Sequence, residues 1–455
     1  MSKIMLIGYN PPALERDAKI EAAHYRTWQF LDPLLEDGHQ ICLVANTMLS
    51  TRSAEEAQST ELPHEWGTQL EHHPLALHQG RSWSRDLQKV HDDFQPDCIV
   101  AVNFDCCLAA TKLNTDRPIW MDIYGDYMTI VQAACYRAGQ DRGISTSVAF
   151  FRQVLKTGDA FSGCGTPQKH MLAGELAFTG RLNAETFGYE YTHVVLPGSS
   201  PKDGAENAVI ETPSEQPDIH EEAFVVLWCG GYNTWTDVDT LFAGLEMAME
   251  KDPDVHFLSV GANTYEGADN VYDRFNNMIA KSKFKDRYHM LGWRPYSDVA
   301  YYYRESDVGL NIDAMHYETV YGTRTRLVEM IASGLPVITS TGCELSDLID
   351  RKGAGLIFNT ADWQGLGEQI LRLATNRPYC REMAKVALNY AQNDLSFGVT
   401  TMPVRNWVKN PTHAPDGKNA SSFKQFEYQA RSVARQLIWR FTGLGFVANR
   451  SARRS

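Results

Sequence analysis

The sequence predicts an α/β protein in which two doubly wound parallel-sheet domains face each other across a cleft. Two observations support this fold class. The first is a repeated order of apolar strand, loop, amphipathic helix and strand, which is already present in residues 3–46. The second is a stretch rich in Pro, Ser, Gly and acidic residues at 197–222, after which the same order starts again. Such a stretch is typical of a linker between domains.

These observations divide the 455 residues into four parts. We predict an N-terminal domain at 1–200, a linker at 201–222, a second domain at 223–400 and a C-terminal extension at 401–455. We expect the extension to cross back to the N-terminal domain. The length agrees with two or three domains, since a domain usually has about 100–200 residues.

Short apolar runs bounded by turn residues mark the strands of both domains. In the first domain they lie at 3–8, 40–45, 96–105, 117–126 and 192–199. In the second domain they lie at 223–231, 255–263, 288–293, 307–313, 336–340 and 353–359. Neither domain has a GxGxxG sequence after its first strand, which argues against a dinucleotide-dependent oxidoreductase.

The composition excludes several classes of protein. A formal net charge of −13 argues against a nucleic-acid-binding protein. No window of about 18 apolar residues is present, so we expect no membrane-spanning helix. Nine scattered cysteines without a CxxC pair indicate a reducing compartment, and the opening residues MSKIMLIGYN are typical of a strand rather than a signal peptide. We therefore expect a cytoplasmic protein.

Residues 317–341 are unusually charged for a stretch that leads into a buried strand. Thr323 is a suitable N-cap for a helix that runs to Ser333, and Gly334 and Pro336 are suitable residues to end it. The N-terminus of a helix carries partial positive charge and free N–H groups. We therefore expect this end of the helix to attract an anion.

Charged side chains surround that helix end. Arg324 and Arg326 add positive charge that suits a diphosphate, and Glu329 shares a helix face with Arg326 because the two are three positions apart. A carboxylate on that face would accept hydrogen bonds from vicinal sugar hydroxyls. Glu318, in the loop that also contains Gly322, would face a second sugar. The carboxyl ends of strands, where this segment lies, are the usual place for ligands in open α/β sheets.

A glycine-rich turn follows the first strand of the second domain. Gly230 and Gly231, with Tyr232 after them, would let the backbone approach a phosphate; a simple tight turn between strand and helix is the alternative. Asp237 and Asp239 resemble a metal-binding DxD pair, but they open a helix, where acids interact favourably with the helix dipole. We therefore expect no metal site there.

The N-terminal domain has candidates at the corresponding edge of its own sheet. Asp122 and Asp126 flank Gly125 at the end of a strand, where a carboxylate would face the cleft; a helix cap and a solvated acid are the alternative. His24 and Arg26 follow the first strand and would contact an acceptor, with a structural histidine as the alternative.

The acidic loop, the helix with Glu329 and the following ASGLPVITS resemble the C-terminal domain of GT-B glycosyltransferases, in particular the retaining family-four group. The resemblance extends from residue 222 to about residue 378 and includes LWCGGYNTWTDVDTLFAGL and YHMLGWRPYSDVAYYYRESDVGLNID. It implies two Rossmann-like domains, with the donor nucleotide in the C-terminal domain and the acceptor in the N-terminal domain. It also implies that Glu329 contacts the nucleotide ribose.

The resemblance implies transfer of a sugar, of hexosyl type, from a nucleoside-diphosphate sugar to a hydroxyl acceptor, with retention at the anomeric carbon. The acceptor would be a glycan, a lipid-linked intermediate or a small molecule, as in polysaccharide biosynthesis. No cofactor, metal or covalent nucleophile is implied. The predicted catalytic residues are Glu318, Arg324, Asp122 and Asp126. The predicted donor-binding residues are Gly230, Gly231, Tyr232, Arg294, Gly322, Thr323, Arg326 and Glu329. The predicted acceptor-binding residues are His24 and Arg26.

Two features depart from the family pattern. That pattern places two glutamates eight positions apart, whereas Glu318 precedes Glu329 by eleven positions and Tyr321 stands at the expected place. The family also tends to have an Arg and a Lys in the first turn of this domain, and GGYNTWTD contains neither. The charge would then come from Arg294, or from the arginines of the helix described above.

Two alternatives remain open. One is another enzyme of the same fold, such as a nucleotide-sugar epimerase or a phosphorylase-like enzyme. The other is a non-catalytic subunit that binds a partner enzyme or a lipid surface. From Lys418 onward the tail has eight Lys or Arg residues, one acid and aromatic residues at helical spacing. This pattern predicts a basic amphipathic helix, which either packs on the body of the protein or contacts the inner face of a membrane peripherally.

Overall fold

The computed structural model describes residues 1–15, 20–50, 63–200, 212–213, 216–264 and 271–416. These residues form two α/β domains, each built on a single parallel sheet with helices packed against it. The predicted fold class is therefore confirmed. The basic helix predicted in the C-terminal extension lies outside the described residues, as does much of the predicted linker.

The N-terminal domain contains a seven-stranded sheet. Its strands are β1 (Lys3–Tyr9), β2 (Gln40–Asn46), β3 (Leu70–Leu75), β4 (Cys98–Val102), β5 (Ile119–Asp122), β6 (Ala160–Gly163) and β7 (Thr192–Val194). Neighbouring strands are parallel and follow the order β3-β2-β1-β4-β5-β6-β7. The helices between them are α1 (Ala22–Glu36), α2 (Trp83–Phe94), α3 (Phe104–Ala110), α4 (Tyr127–Ala138), α5 (Ile144–Thr157) and α6 (Thr166–Phe178).

The C-terminal domain contains a six-stranded sheet. Its strands are β8 (Phe224–Cys229), β9 (Val255–Val260), β10 (Tyr288–Gly292), β11 (Val308–Asn311), β12 (Val337–Ser340) and β13 (Gly355–Phe358). They are parallel in the order β10-β9-β8-β11-β12-β13. Its helices are α7 (Val238–Lys251), α8 (Val271–Ile279), α9 (Tyr296–Arg304), α10 (Tyr317–Tyr321), α11 (Thr325–Ala332), α12 (Glu344–Lys352), α13 (Trp363–Ala374) and α14 (Arg377–Asn393).

Each sheet is buried on both faces, which explains why its central strands are apolar at almost every position. In β1, Ile4 and Leu6 belong to the core on one side of the sheet, and Met5 and Ile7 belong to the core on the other. Successive side chains of a strand point to opposite faces, so a two-sided core requires a continuous apolar run. The second domain follows the same rule along β8.

The chain passes between the domains at two adjacent places. The Ser199 N–H donates to the Leu395 carbonyl at 2.7 Å, and the Phe397 N–H donates to the Ser199 carbonyl at 2.9 Å. After the second crossing, the short helices α15 (Phe397–Thr400) and α16 (Met402–Trp407) pack on the N-terminal domain, where Val404 is fully buried. The structure thus places residues 397–416 on the first domain.

Each predicted strand overlaps one observed strand, and two observed strands have no counterpart in the prediction. These are β3 and β6. The first has the sequence LEHHPL, lies at the edge of the sheet and is only partly buried. The second is a four-residue strand, AFSG, that contains small residues. None of the helices in the described part of the chain combines the length and the hydrophobicity needed to cross a bilayer.

Candidate active site

A cleft of about 320 Å³ lies between the two domains. The N-terminal domain contributes residues that follow β1 and β5, and the C-terminal domain contributes residues that follow β8, β9, β10 and β11. The carboxyl ends of the strands of both sheets therefore meet at one site, as expected for ligand sites in open α/β sheets.

The floor of the cleft on the C-terminal side is the glycine turn after β8. Gly230 has φ of +106°, a conformation that residues with a side chain rarely adopt. A Cβ atom on Gly231 would lie 2.0 Å from the Thr264 hydroxyl oxygen. Both positions therefore favour glycine, Gly230 because of its backbone conformation and Gly231 because a Cβ atom has no room. The indole N–H of Trp228 donates to the Gly230 carbonyl at 3.0 Å and fixes the turn.

Arg326 of α11 lies beside this turn and places its positive charge at the cleft. Its guanidinium stacks over the Trp228 ring at 4.3 Å, and Nη2 donates to the Gly231 carbonyl at 3.1 Å. The Nη1 atom is buried, yet among the described residues it has no hydrogen-bond partner. Removal from water lowers the pKa of Arg326, but an arginine stays protonated at neutral pH. The result is a positive charge with an unsatisfied donor beside the glycine turn.

Glu329 lies one turn further along α11, on the wall of the same cleft. The Tyr303 hydroxyl donates to its Oε2 at 3.0 Å. Burial holds the pKa of Tyr303 well above its usual range, so this hydroxyl keeps its proton and remains a donor. The tyrosine thus fixes the orientation of the carboxylate. A fixed carboxylate at the edge of the cleft is suited to accept hydrogen bonds from neighbouring hydroxyls of a sugar.

Arg324 also lines the cleft, but its donors are used within the protein. Its Nε donates to Asp313 Oδ2 at 2.9 Å, and its two Nη atoms donate to the two carboxylate oxygens of Glu318 at 2.9 and 2.7 Å. Burial alone would lower the pKa of Arg324, but the two carboxylates outweigh it and raise the pKa. Glu318 therefore lies in the short helix α10, held by this arginine, and not in an open loop.

The start of α11 differs from the prediction by one residue. The N-cap is Arg324, with no side-chain hydrogen bond at the cap, and Thr323 precedes it on the wall of the cleft. The hydroxyl of Thr325 is hydrogen bonded to that of Tyr124 from the N-terminal domain. The two domains therefore touch at the N-terminal end of this helix. At the other end, Gly334 has φ of +74°, as expected for the residue after a helix C-terminus.

On the N-terminal side, Arg26 and Asp122 form a closed ion pair. Arg26 donates from Nε and Nη2 to the two oxygens of Asp122 at 2.9 and 2.8 Å, and its Nη1 donates to Gln29. Asp122 accepts a further bond from the Ser162 hydroxyl at 2.5 Å. The two charged side chains are 1% and 0% exposed. They satisfy each other and do not line the cleft.

His24 and Asp126 both serve helix ends. The ring of His24 accepts from the Glu21 N–H at 3.0 Å in a capping box at the start of α1. Asp126 is the N-cap of α4 and accepts from the Thr129 N–H at 2.8 Å. These are the structural roles that were considered as alternatives for both residues.

The structure brings eight of the predicted site residues together in the cleft. They are Gly230, Gly231, Arg294, Glu318, Thr323, Arg324, Arg326 and Glu329. The other six lie behind its walls or elsewhere: His24, Arg26, Asp122, Asp126, Tyr232 and Gly322. Two of these six support the walls. The Tyr232 hydroxyl bonds Ser259 at 2.8 Å beneath the glycine turn, and a Cβ atom on Gly322 would lie 2.7 Å from Glu318 Oε1.

Several residues of the cleft were not predicted from the sequence. Tyr124, Asn233, Trp235, Thr264, Trp293 and Tyr296 all line it. Most are aromatic, and all lie within a few residues of the end of a strand. The sequence shows that these residues follow strands, which is a signal for a ligand site. Aromatic residues of the core also follow strands, so this signal alone does not distinguish the two.

The described residues contain one cluster with the composition of a metal site, formed by Cys42, Glu71 and His73. It lies on β2 and β3, and none of the three lines the cleft. Asp237 caps α7 and accepts from the backbone N–H and the hydroxyl of Thr240 at 3.1 and 2.7 Å, as its position at a helix start predicts.

Comparison with known proteins finds a family profile that matches the C-terminal domain. Residues 223–376 match the sequence profile of the family described as "Glycosyl transferases group 1". No curated protein sequence matches the chain.

Several solved structures have the same fold at low sequence identity. Sucrose-phosphate synthase from Thermosynechococcus elongatus is 15% identical with a TM-score of 0.64, covering 90% of this chain and 98% of its own. Anabaena HepE, solved with UDP and glucose, is 14% identical with a TM-score of 0.60, covering 90% and 100%. WaaG, a glycosyltransferase involved in lipopolysaccharide biosynthesis, is 14% identical with a TM-score of 0.58 and the same coverage.

The resemblance that the sequence suggested is therefore confirmed. Residues 223–376 match the glycosyl transferases group 1 profile, and the two domains of the chain together have the GT-B fold of the solved structures named above.

Proposed function

We propose that the protein transfers a sugar from a nucleoside-diphosphate sugar to the hydroxyl of an acceptor, with retention at the anomeric carbon. The group 1 domain and the GT-B fold support glycosyl transfer. The cleft is the place for this reaction, because both domains contribute to it and it lies at the ligand-binding edge of both sheets.

The observation that carries the proposal is the state of Arg326. A guanidinium that is stacked on Trp228, has a buried Nη1 without an acceptor and lies beside the Gly230–Gly231 turn favours an anion. Among the described residues no carboxylate lies within ion-pair distance of it. Arginine presents a planar fork that matches phosphate oxygens. The diphosphate of the donor is the natural occupant.

Glu329 then takes the ribose. A nucleotide whose diphosphate contacts Arg326 places its ribose near this carboxylate, since both side chains lie on one face of α11. Tyr303 holds the carboxylate in position. Because UDP, GDP and ADP share the same ribose, this contact supports binding without choosing among their bases.

The transfer step requires charge stabilisation more than a nucleophile from the protein. The bond between the anomeric carbon and the diphosphate oxygen breaks, the nucleoside diphosphate leaves with the electron pair, and the acceptor oxygen bonds the same carbon as it loses its proton. Arg326 stabilises the charge that develops on the leaving group. A donor phosphate oxygen takes the acceptor proton, so neither a metal nor a covalent enzyme intermediate takes part in the proposed step.

UDP-glucose is the first donor to test. The structure of HepE was solved with UDP and glucose, and that protein shares the fold of this chain. The acceptor hydroxyl would belong to a glycan, a lipid-linked intermediate or a small molecule, and the residues that select it lie toward the N-terminal domain. Peripheral membrane contact through the basic tail and a cytoplasmic location stay predictions.

A donor panel tests the proposal. The protein is incubated with UDP-, GDP-, dTDP- and ADP-sugars, with and without simple glycosides as acceptors, and nucleoside diphosphate release is measured. We expect release from one class of donor, faster with an acceptor present. Absence of release from every donor would contradict the proposal, and stable co-purification with another enzyme would then favour the non-catalytic subunit.

A further inference from the structure

A second cavity adjoins the cleft along the seam between the domains. Its volume is about 640 Å³, within the range of about 300–1,000 Å³ that ligand pockets usually have. Trp235 and Glu318 line both cavities, so they form the boundary between the donor cleft and this second space, which we call the seam cavity.

One face of α4 forms the wall of the seam cavity that the N-terminal domain contributes. Thr129, Gln132, Ala133 and Tyr136 line it, and their spacing of three, four and seven positions places them on one side of the helix. Tyr136 is 71% exposed and lines the cavity. This helix face is therefore directed into an open apolar space.

The opposite wall comes from α10 and the residues before it. Met315 and Tyr317 are 55% and 64% exposed, and both line the cavity. The ring of Tyr317 stacks on that of Tyr321 with an interplanar angle of 16°, which gives the wall a fixed aromatic surface. Together with Trp235 and Val320, this side of the seam cavity is mainly apolar.

The boundary residue Trp235 has an unused donor. Its indole Nε1 is buried, and it has no hydrogen-bond partner among the described residues. A buried indole N–H normally finds an acceptor. Because Trp235 separates the two cavities, the expected ligand has its polar end at the donor cleft and an apolar group beyond this residue.

We propose that the seam cavity binds the aglycone of the acceptor, an aliphatic or aromatic group attached through oxygen to the part of the molecule that receives the sugar. This inference rests on the proposed function. It narrows the acceptor to amphiphilic molecules, with the polar end at the donor cleft and the apolar end between α4 and α10. A purely polar glycan would leave the apolar walls unfilled.

Matched glycosides test the substrate class by binding, without the need for turnover. Octyl β-D-glucoside, below its micellar concentration, and methyl β-D-glucoside are titrated calorimetrically into the protein saturated with UDP. The two probes differ only in the apolar chain. Each methylene buried in the seam cavity strengthens binding, so we expect the octyl glycoside to bind at least roughly tenfold more tightly than the methyl glycoside.

Three variants locate the effect. Ala133→Phe fills the cavity from α4, and Tyr136→Ala removes part of its wall. Both should reduce the tenfold preference for the octyl glycoside to about twofold or less. Phe178→Ala is the control, because Phe178 is a 97% exposed aromatic residue of the same domain that does not line the cavity. It should leave the preference unchanged.

UDP binding is measured in the same samples, which separates this inference from the proposed function. If UDP binds but the two glycosides bind equally, the aglycone site is refuted while the donor site stands. If the octyl preference persists unchanged in Ala133→Phe and Tyr136→Ala, the chain binds elsewhere and the inference is again refuted. If UDP fails to bind, the titrations are repeated with GDP, dTDP and ADP. Failure of all four to bind would refute the proposed function and the inference together.

Discussion

Arg26 and Arg326 occupy similar places in the two domains and differ in one decisive respect. Each lies on a helix that follows a strand of its sheet, on the side where the carboxyl ends of the strands of both domains meet. Arg26 is 1% exposed and has Asp122 as a bidentate partner, whereas Arg326 has no carboxylate partner among the described residues and keeps one buried donor unsatisfied. The comparison teaches that a charged residue at this edge marks a ligand site only when the protein leaves it unpaired.

The largest expected effect is on stability, at the paired arginine. In Asp122→Asn the Arg26 charge remains buried and loses its counter-charge, so the free energy of unfolding should fall by about 3–5 kcal/mol. Urea denaturation of wild type and variant measures the change. Double replacement by Arg26→Met and Asp122→Leu removes both charges and should recover most of the loss. A fall of less than about 1 kcal/mol in Asp122→Asn would show that the pair is not closed as described.

The unpaired arginine should behave in the opposite way, with an effect on turnover rather than on folding. Arg326→Ala should lower kcat by roughly 10²–10³-fold, because a donor aimed at developing charge contributes about 2.7–4 kcal/mol to the transition state. Its thermal midpoint should change little. Arg326→Lys keeps the charge but loses the planar fork, so its kcat should lie between those of wild type and Arg326→Ala. Equal activity of Arg326→Ala and wild type would remove this residue from the reaction.

A smaller effect is expected at Glu329, the anionic counterpart of Arg326 in the cleft. Glu329→Gln weakens charge-assisted hydrogen bonds to the ribose and should raise the Kd for the nucleotide by roughly 10–100-fold, or about 1.5–3 kcal/mol. Calorimetric titration measures this. Tyr303→Phe removes the hydroxyl that donates to the carboxylate, and this change should weaken nucleotide binding by about 0.5–1.5 kcal/mol. A larger loss in Tyr303→Phe than in Glu329→Gln would contradict these assignments.

The smallest effect concerns an ion pair near the surface, between Arg405 of α16 and Asp37 of the N-terminal domain. The hydrogen bond from Arg405 lowers the pKa of Asp37 below its ordinary value of 3.8. The pair therefore stabilises the fold fully above that value, and its contribution is lost as pH falls through the depressed pKa.

Asp37→Asn should cost up to about 1 kcal/mol at neutral pH, as for other partly exposed pairs. The difference between the variant and wild type should stay constant down to the ordinary aspartate pKa and shrink below it. Thermal unfolding of both proteins across an acid pH series measures the difference. A difference that grows as pH falls would contradict the sign of this linkage.

The fold was more predictable from the sequence than the site. Continuous apolar runs such as those of β1 and β8 can be buried only between two layers of helices, so two parallel sheets followed from them. The edge strand β3 has the sequence LEHHPL and lacks this signal, because an edge strand needs burial on fewer sides.

The properties of the site depend on which charged side chains form ion pairs with each other, and the sequence does not show this. Several charged residues of 317–341 line one wall of the cleft. The sequence did not show that Arg324 would form ion pairs with Asp313 and Glu318. Nor did it show that Arg326, two positions later, would keep a donor without an acceptor among the described residues. Those contacts bring together residues from different elements, and they arise only when the chain is folded.

The central claim is that Arg326 binds the diphosphate of the donor, and a comparison of UDP with uridine tests it most directly. Both ligands are titrated into wild type and Arg326→Ala, with thermal unfolding as a second measure; a ligand at 100 times its Kd should add about 2.7 kcal/mol of stability. The account predicts that UDP binds wild type far more tightly than uridine does, and that Arg326→Ala largely removes this difference while uridine binding is unchanged. A difference between UDP and uridine that is the same in both proteins would contradict the account.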